Sequence, residues 1–247
     1  MANFLYSISN LFGKKSQSVL GVDIGSSSIK VVQLARKNGH PVLETYGELS
    51  LGQYAGKSVG EATSLPTEKI VEAINDMLKE KEVNISTRIC GVAIPFASSL
   101  ISVIEMPLVK KVQLDQMIPI EARKYIPVPI SEVTLDWYII PKDKTPEEVA
   151  ASGPNNPAAL VSTPKVEVLI VALHNETIAR YKEIITKTAL EASFFEIEIF
   201  STMRSILDQE VSPILIVDMG ATNTKLYIVE RGVLRSSKFW LHLRFSL

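Results

Sequence analysis

Two segments of the chain carry the same arrangement of residues that could hold a phosphate group. The first is Gly21–Leu34 (GVDIGSSSIKVVQL) and the second is Ile216–Val229 (IVDMGATNTKLYIV). Both read as a strand, Asp-x-Gly, a turn of small or hydroxyl residues, and a second strand. Four identities recur at a constant offset of 195 positions (218 minus 23): Val22 and Val217, Asp23 and Asp218, Gly25 and Gly220, Lys30 and Lys225. The repetition predicts two equivalent β-hairpins, one near each end of the chain.

The composition of both turns favours an anion cradle. Glycine lets backbone N–H groups approach a phosphate without an intervening Cβ, and hydroxyl side chains add donors to its oxygens. The residues predicted to contact phosphate are Asp23, Gly25, Ser26, Ser27, Ser28 and Lys30 in the first hairpin, and Asp218, Gly220, Ala221, Thr222 and Asn223 in the second.

The two aspartates lie at strand ends, where each could hold Mg²⁺ directly or through its waters. The metal would bridge phosphate oxygens that otherwise repel the carboxylates. Lys30 is predicted to reach a phosphate, whereas Lys225 has two interpretations, a phosphate contact or a solvated strand residue. One such hairpin is also ordinary turn chemistry. Two copies favour a clamp in which Asp23, Asp218 and their turns face each other and grip one polyphosphate.

Composition bounds the class of protein. With 247 residues, 46% hydrophobic and 21% charged, the chain is expected to be globular, with one or two domains. A net charge of −1 gives no overall field that would recommend nucleic acid or an acidic membrane as the main partner. The single cysteine, Cys90, fits a reducing compartment. The segment Met1–Lys15 is expected to form either a short amphipathic helix at an anionic surface or a frayed terminus.

The elements that must position the hairpins follow from local patterns. Strands are predicted at 19–24, 29–34, 41–51, 88–95, 100–104, 133–140, 166–173, 194–200 and 214–217, and helices at 67–81, 114–125, 176–189 and 202–207. Residues 142–165, rich in Pro, Gly and Asn, are predicted to be a surface loop. Glu196 and Glu198 could orient a water in the cleft, but their alternation with apolar residues favours a half-exposed strand.

The two loops resemble the phosphate 1 and phosphate 2 motifs of the superfamily that contains actin and hexokinase. Within it, the segments GVDIGSSSIK (21–30), EARKYIP (121–127) and VEVLIVALHN (166–175) resemble the PilM family of type IV pilus assembly proteins. The last segment is also similar to the related cell-division protein FtsA. The resemblance implies an α/β, actin-like (ribonuclease H-like) fold with an inserted FtsA-type 1C subdomain. The implied divisions are an N-terminal segment at 1–18, lobe 1A at 19–87 and 191–212, subdomain 1C at 88–190, and the start of a second lobe at 213–247.

The resemblance also implies a function. PilM-like proteins bind ATP with Mg²⁺, lie in the cytoplasm against the inner face of the cell membrane, and dock the N-terminal cytoplasmic tail of the membrane protein PilN. The chain would then be a scaffold and at most a slow ATPase, with self-association left open and no nucleic acid bound. The alternatives are an FtsA-like division scaffold and a metabolic kinase of the same superfamily.

The resemblance stops after Arg235, where the family would continue into a Gly-Gly turn and most of the second lobe. We therefore expect a C-terminally truncated chain that lacks the adenosine-binding motif. Its apolar stretch from Ile214 to Leu243 would be left uncovered and prone to association.

Overall fold

The computed structural model describes residues 18–141, 164–207 and 211–241. The predicted N-terminal helix and nearly all of the predicted loop at 142–165 lie outside these residues. The chain divides into two compact units. The first unit combines Met1–Ser99 with Asn175–Leu247, and the second unit comprises Leu100–His174.

Within the described residues the chain forms eleven strands and four α-helices. The strands are β1 (Val19–Ile24), β2 (Ser28–Lys37), β3 (His40–Ser50), β4 (Ile89–Ile94), β5 (Ser99–Pro107), β6 (Val133–Ile140), β7 (Lys165–His174), β8 (Glu191–Ile197), β9 (Ile214–Met219), β10 (Asn223–Glu230) and β11 (Val233–Leu241). The helices are α1 (Thr67–Lys79), α2 (Lys111–Ala122), α3 (Asn175–Thr186) and α4 (Glu198–Ile206). None of these helices is long and apolar enough to cross a membrane.

The main sheet of the first unit has five strands in the order β3-β2-β1-β4-β8. The strands β1, β2 and β3 pair antiparallel, as short connections allow, whereas β1–β4 and β4–β8 pair parallel. One face is apolar because alternate residues of β1 and β2 point inward, and Leu20, Val22, Ile29 and Val31 are buried there. The helix α1, predicted at 67–81, buries Ile70, Ala73, Ile74 and Met77, the spacing of one helix face.

A second sheet of the first unit, here called the C-terminal sheet, has the order β11-β10-β9 and is antiparallel. Side chains of β9 and β10 alternate between two faces, and the pairing of β10 with β11 has a register irregularity between Ile228 and Val229. Ile216, Tyr227 and Val229 are buried on the inner face. On the outer face Val217 is 50% exposed and Met219 is 79% exposed, so apolar side chains of this sheet face outward, as expected for this stretch of the sequence.

The second unit has its own core. Its sheet has the order β5-β7-β6, and α2 contributes Leu114, Ile118 and Ala122 to the apolar cluster that also contains Ile104 and Ile170. This unit is shorter at both ends than the inserted subdomain expected at 88–190. The strand β4 pairs with β1 in the main sheet, and α3 contacts α1, so residues 88–99 and 175–190 belong to the first unit.

Candidate functional site

The two repeated loops have the same backbone structure. The Gly25 amide donates to the Ser28 carbonyl at 2.9 Å, and the Gly220 amide donates to the Asn223 carbonyl at the same distance. These are equivalent positions in the two copies. The cross-strand partners are equivalent too, since Asp23 pairs with Lys30 and Asp218 pairs with Lys225. The sequence repeat is therefore a structural repeat. Because both glycine amides close their own turns, these glycines allow close approach rather than donate to a ligand.

The turns of the two hairpins touch each other. The hydroxyl oxygens of Ser26 and Thr222 are 3.3 Å apart, within hydrogen-bonding distance, although they are 196 positions apart in the sequence. The Asn223 side-chain amide donates to the same Thr222 hydroxyl at 3.1 Å. The predicted phosphate loops of the main sheet and of the C-terminal sheet thus meet at one place, as a shared anion site requires.

The first turn is held from behind by the chain that follows β3. The Ser26 carbonyl accepts from the Thr63 amide at 2.8 Å, and the Ser27 carbonyl accepts from the Leu51 amide at 2.8 Å. Ser28 is only 6% exposed at the start of β2, so its hydroxyl is less accessible than those of Ser26 and Ser27. The loop at 52–64 therefore braces the turn. In the second turn Gly220 and Ala221 are exposed.

Three carboxylates converge beneath the turns, and we call Asp23, Glu198 and Asp218 the carboxylate cluster. Burial raises the pKa of Asp23 above its usual 3.8, and the charges of Glu198 and Asp218 raise it further, against the lowering effects of Lys30 and Lys225. Three carboxylates and two ammonium groups leave this set one negative charge in excess. An additional cation near Asp23 is therefore electrostatically favoured.

Lys225 is buried at 8% exposure, so the interpretation of this residue as a solvated strand lysine is wrong. Its ammonium donates to Glu198 Oε1 at 2.5 Å and to Asp218 Oδ2 at 2.9 Å. Burial disfavours the charged ammonium, but the hydrogen bonds and charges of the two carboxylates outweigh it. The pKa of Lys225 consequently lies above its usual 10.5.

Glu198 is a site residue whose position was not predicted from the sequence. The strand expected to run to Phe200 ends at Ile197, and Glu198 is the first residue of α4. Its Oε1 also accepts from the Phe96 amide at 2.8 Å. Glu196 lies on β8 but is only 6% exposed and forms an ion pair with Arg204, so neither glutamate is an exposed strand residue. The available signal was an acidic residue in the first turn of a helix that follows an apolar strand.

The predicted phosphate lysine, Lys30, is more open. Its side chain is 58% exposed, and its ammonium is 3.9 Å from Glu48 Oε1 on the neighbouring strand. Lys30 and Asp23 border a shallow cavity of about 240 Å³ on the main sheet, lined also by Gly21, Gly91 and Phe194. Lys30 can therefore turn toward a ligand without breaking a buried contact.

The chemistry of the cluster sets how a metal could be held. Among the described residues, no group of three or more His, Cys, Asp or Glu side chains is arranged to bind a metal ion. Mg²⁺ commonly uses one or two carboxylates together with substrate phosphates and water, rather than an all-protein cage. The residues present fit this mode, with Asp23 as the carboxylate that is not ion-paired to Lys225.

Two buried polar atoms beside the cluster have no hydrogen-bond partner within the described part of the chain. They are Asn223 Oδ1 and the Tyr227 hydroxyl. Tyr227 is 1% exposed, and its ring stands edge-on to Phe96, with the ring centroids 5.1 Å apart. Burial, followed by the charges of Glu198 and Asp218, raises the pKa of Tyr227 above its usual 10. These atoms leave hydrogen-bonding capacity beside the place where the turns meet.

Two hairpin turns, contributed by separate sheets and meeting over a set of carboxylates, define an α/β protein of the actin-like class, as predicted. A sequence profile described as "Type IV pilus assembly protein PilM" matches residues 21–235. The chain belongs to this family.

Solved structures agree on the fold. A chain of the "PilM-PilN type IV pilus biogenesis complex" matches with a TM-score of 0.66 and 19% identity, over 92% of this chain and 62% of that chain. The cytoplasmic domain of EpsL, an inner membrane component of the type II secretion system of Vibrio cholerae, matches with a TM-score of 0.53 and 11% identity. That match covers 91% of this chain and 71% of the other. The chain thus spans less than two thirds of the length of the first of these structures.

Proposed function

We propose that the chain is a nucleotide-responsive scaffold of type IV pilus assembly, which binds the phosphates of Mg·ATP between its two hairpin turns. The observation that carries this proposal is the contact between Ser26 and Thr222 above the carboxylate cluster. Hydroxyl groups and exposed turn backbone from two sheets surround one place there, and the charge excess of the cluster favours a cation.

Each residue has a definite part in the proposed binding. The Ser26 and Thr222 hydroxyls donate to phosphate oxygens, and Lys30 turns from Glu48 to a terminal phosphate. Asp23 holds Mg²⁺, directly or through water, while the metal neutralises the phosphate oxygens. ATP binding draws the main sheet and the C-terminal sheet together, since both contribute contacts.

A titration with Mg·ATP and with inorganic tripolyphosphate tests this proposal. Because the proposed contacts are to phosphates, we expect both ligands to bind, with affinities within about tenfold of each other. Asp23→Asn is expected to weaken Mg·ATP binding at least about tenfold. Asp115→Asn, which removes an exposed carboxylate from α2 in the second unit, is the matched control and should change nothing. Absence of ATP binding, or equal affinity of the Asp23→Asn variant, would overturn the assignment.

We further propose that the chain docks the N-terminal cytoplasmic tail of a PilN-like membrane protein, and that it lies at the inner face of the cell membrane through this partner. Family membership and the fold shared with a chain of the PilM-PilN complex support the docking. Fluorescence polarisation of a labelled tail peptide, with and without Mg·ATP, tests it. We expect specific binding relative to a scrambled peptide and an affinity that changes with nucleotide.

A metabolic kinase of the same class is less well supported by the cluster. A kinase needs a carboxylate that can accept the proton of a substrate hydroxyl. Glu198 is committed to Lys225 and to the Phe96 amide, and Asp218 is committed to Lys225. We therefore expect ATP turnover to be slow or absent. A phosphate-release assay that accelerates with a small hydroxylated acceptor would favour the kinase.

A further inference from the structure

The two hairpins have the same backbone structure, but their equivalent lysines make different contacts. Lys30 is largely exposed and lies 3.9 Å from Glu48, its cross-strand neighbour on β3. The Lys225 side chain is 10% exposed and donates to two carboxylates. Asp218 is the cross-strand partner of Lys225 on β9, whereas Glu198 comes from the start of α4, outside the hairpin. The second hairpin therefore carries a fixed internal cation that the first hairpin lacks.

This internal cation uses the same oxygens that a divalent metal would use. A magnesium ion binds carboxylate oxygens at about 2.0–2.1 Å and needs their lone pairs. At Asp218 Oδ2 and Glu198 Oε1 those lone pairs already accept hydrogen bonds from Lys225, at 2.9 and 2.5 Å. A metal between these oxygens would be repelled by the ammonium. Moving the ammonium away would leave a buried charge without its partners, which is strongly unfavourable.

We propose that Lys225 is a resident counter-cation that excludes divalent metal from the second hairpin, so that a metal brought with nucleotide is held from the Asp23 side alone. The two aspartates predicted as equivalent metal ligands then have different roles. Asp23 contacts the metal, and Asp218 positions Lys225. The nucleotide part of this inference rests on the proposed function, whereas the exclusion of metal from Asp218 and Glu198 does not.

The exclusion is tested without nucleotide, by titrating Mn²⁺ and measuring free metal by electron paramagnetic resonance. Lys225→Met frees Asp218 and Glu198, and we expect this variant to gain a Mn²⁺ site at least tenfold tighter than any in the unsubstituted protein. The matched control is Lys238→Met, since Lys238 is exposed on the outer face of the same sheet and should leave Mn²⁺ binding unchanged. The double variant K225M/D218N should lose the gained site.

Circular dichroism melting shows whether each variant is folded. If Lys225→Met unfolds, Lys225→Ala repeats the titration with a smaller side chain that likewise leaves both carboxylates without the ammonium donor. A folded variant of either kind that binds Mn²⁺ no better than the unsubstituted protein overturns the proposal. So does a gained site that survives in the background of Asp218→Asn.

A second measurement separates this inference from the proposed function. With Mn·ATP, we expect Asp23→Asn to lose at least tenfold in affinity and Asp218→Asn to stay within about threefold of the unsubstituted protein. Equal losses would show that Asp218 is a metal ligand and would overturn the proposal. If the unsubstituted protein binds no Mn·ATP, the proposed function fails, and the metal-only titration still decides the role of Lys225.

Discussion

Gly91 is predicted to be one of the most sensitive positions of the first unit, although it bears no side chain. It lies in the parallel strand β4, where its register partner on β8 is Phe194. A Cβ built on Gly91 would lie 2.2 Å from Cζ of the Phe194 ring and within 2.8 Å of both Cε atoms. Carbon atoms in contact are separated by about 3.5–4.0 Å, so Gly91→Ala must displace the ring by more than about 1 Å.

The magnitude follows from two opposing effects. Overpacking of this kind destabilises a fold by about 1–3 kcal/mol. Replacing a strand glycine by alanine returns about 0.5–1 kcal/mol, because alanine loses less backbone entropy on folding. We expect a net destabilisation of roughly 1–2 kcal/mol for Gly91→Ala, measured as a lower urea midpoint at unchanged slope.

A double-mutant cycle tests the stated cause. In a background of Phe194→Ala the ring is gone, so adding Gly91→Ala should no longer destabilise the fold and should raise the free energy of unfolding by about 0.5–1 kcal/mol. The matched control is Gly21→Ala on the adjacent strand, where the new Cβ would lie 3.6 Å from the Val32 carbonyl oxygen, an ordinary contact. The reasoning is refuted if Gly91→Ala has the same effect with and without the Phe194 ring.

Three further predictions concern other parts of the first unit. Cys90, the single cysteine of the chain, is fully buried, and burial raises its pKa from 9.0 to about 12. A thiol reagent at pH 8 should therefore react with it at least about 100-fold faster after the protein is unfolded in urea. Rapid reaction of the native protein would contradict this. Because the pKa of Asp23 is raised in the folded state, its ionised carboxylate destabilises the fold at pH values above the unfolded pKa near 3.8. Asp23→Asn should therefore raise the free energy of unfolding at pH 7.5 by roughly 0.5–2 kcal/mol. This gain should disappear as the pH is lowered through the raised pKa, since Asp23 itself is then neutral. A Cβ on Gly52 would lie 2.1 Å from the Ser58 carbonyl oxygen, a backbone atom that cannot rotate away. Gly52→Ala should therefore lower the free energy of unfolding by about 2 kcal/mol or more, seen as a lower melting temperature. An unchanged melting temperature would exclude that contact.

The hairpin repeat could be read from the sequence because all of its information is local. Asp-x-Gly, the small turn residues and the flanking β-branched residues lie within fourteen positions in each copy. The structure reproduces both turns with the same hydrogen bond, from Gly25 to Ser28 and from Gly220 to Asn223. The pattern of the helix α1 was likewise local: a helix was predicted at 67–81, and the structure has it at Thr67–Lys79.

What could not be read from the sequence depends on distant segments. The alternation of Glu196 and Glu198 with apolar residues is typical of a strand, and the start of α4 at Glu198 interrupts it. Lys225 looked like a surface residue because Glu198, its second carboxylate partner besides the hairpin residue Asp218, is 27 positions away at the start of α4. The second compact unit, Leu100–His174, begins and ends inside the range 88–190 expected for the inserted subdomain, since the pairing of β4 with β1 joins residues about 70 positions apart.

The contact between Ser26 and Thr222 determines how easily the two hairpin turns separate. A hydrogen bond between two neutral hydroxyls contributes only about 0.5–1.5 kcal/mol, because water replaces it readily. This hydrogen bond therefore favours joined over separated turns by about tenfold or less, and a ligand with a modest preference for one arrangement can reverse that ratio. The ion pairs of Lys225 lie deeper and need not break during this movement. The turns can therefore separate while the ion pair of Lys225 with Glu198 keeps the C-terminal sheet joined to the helix that follows the main sheet.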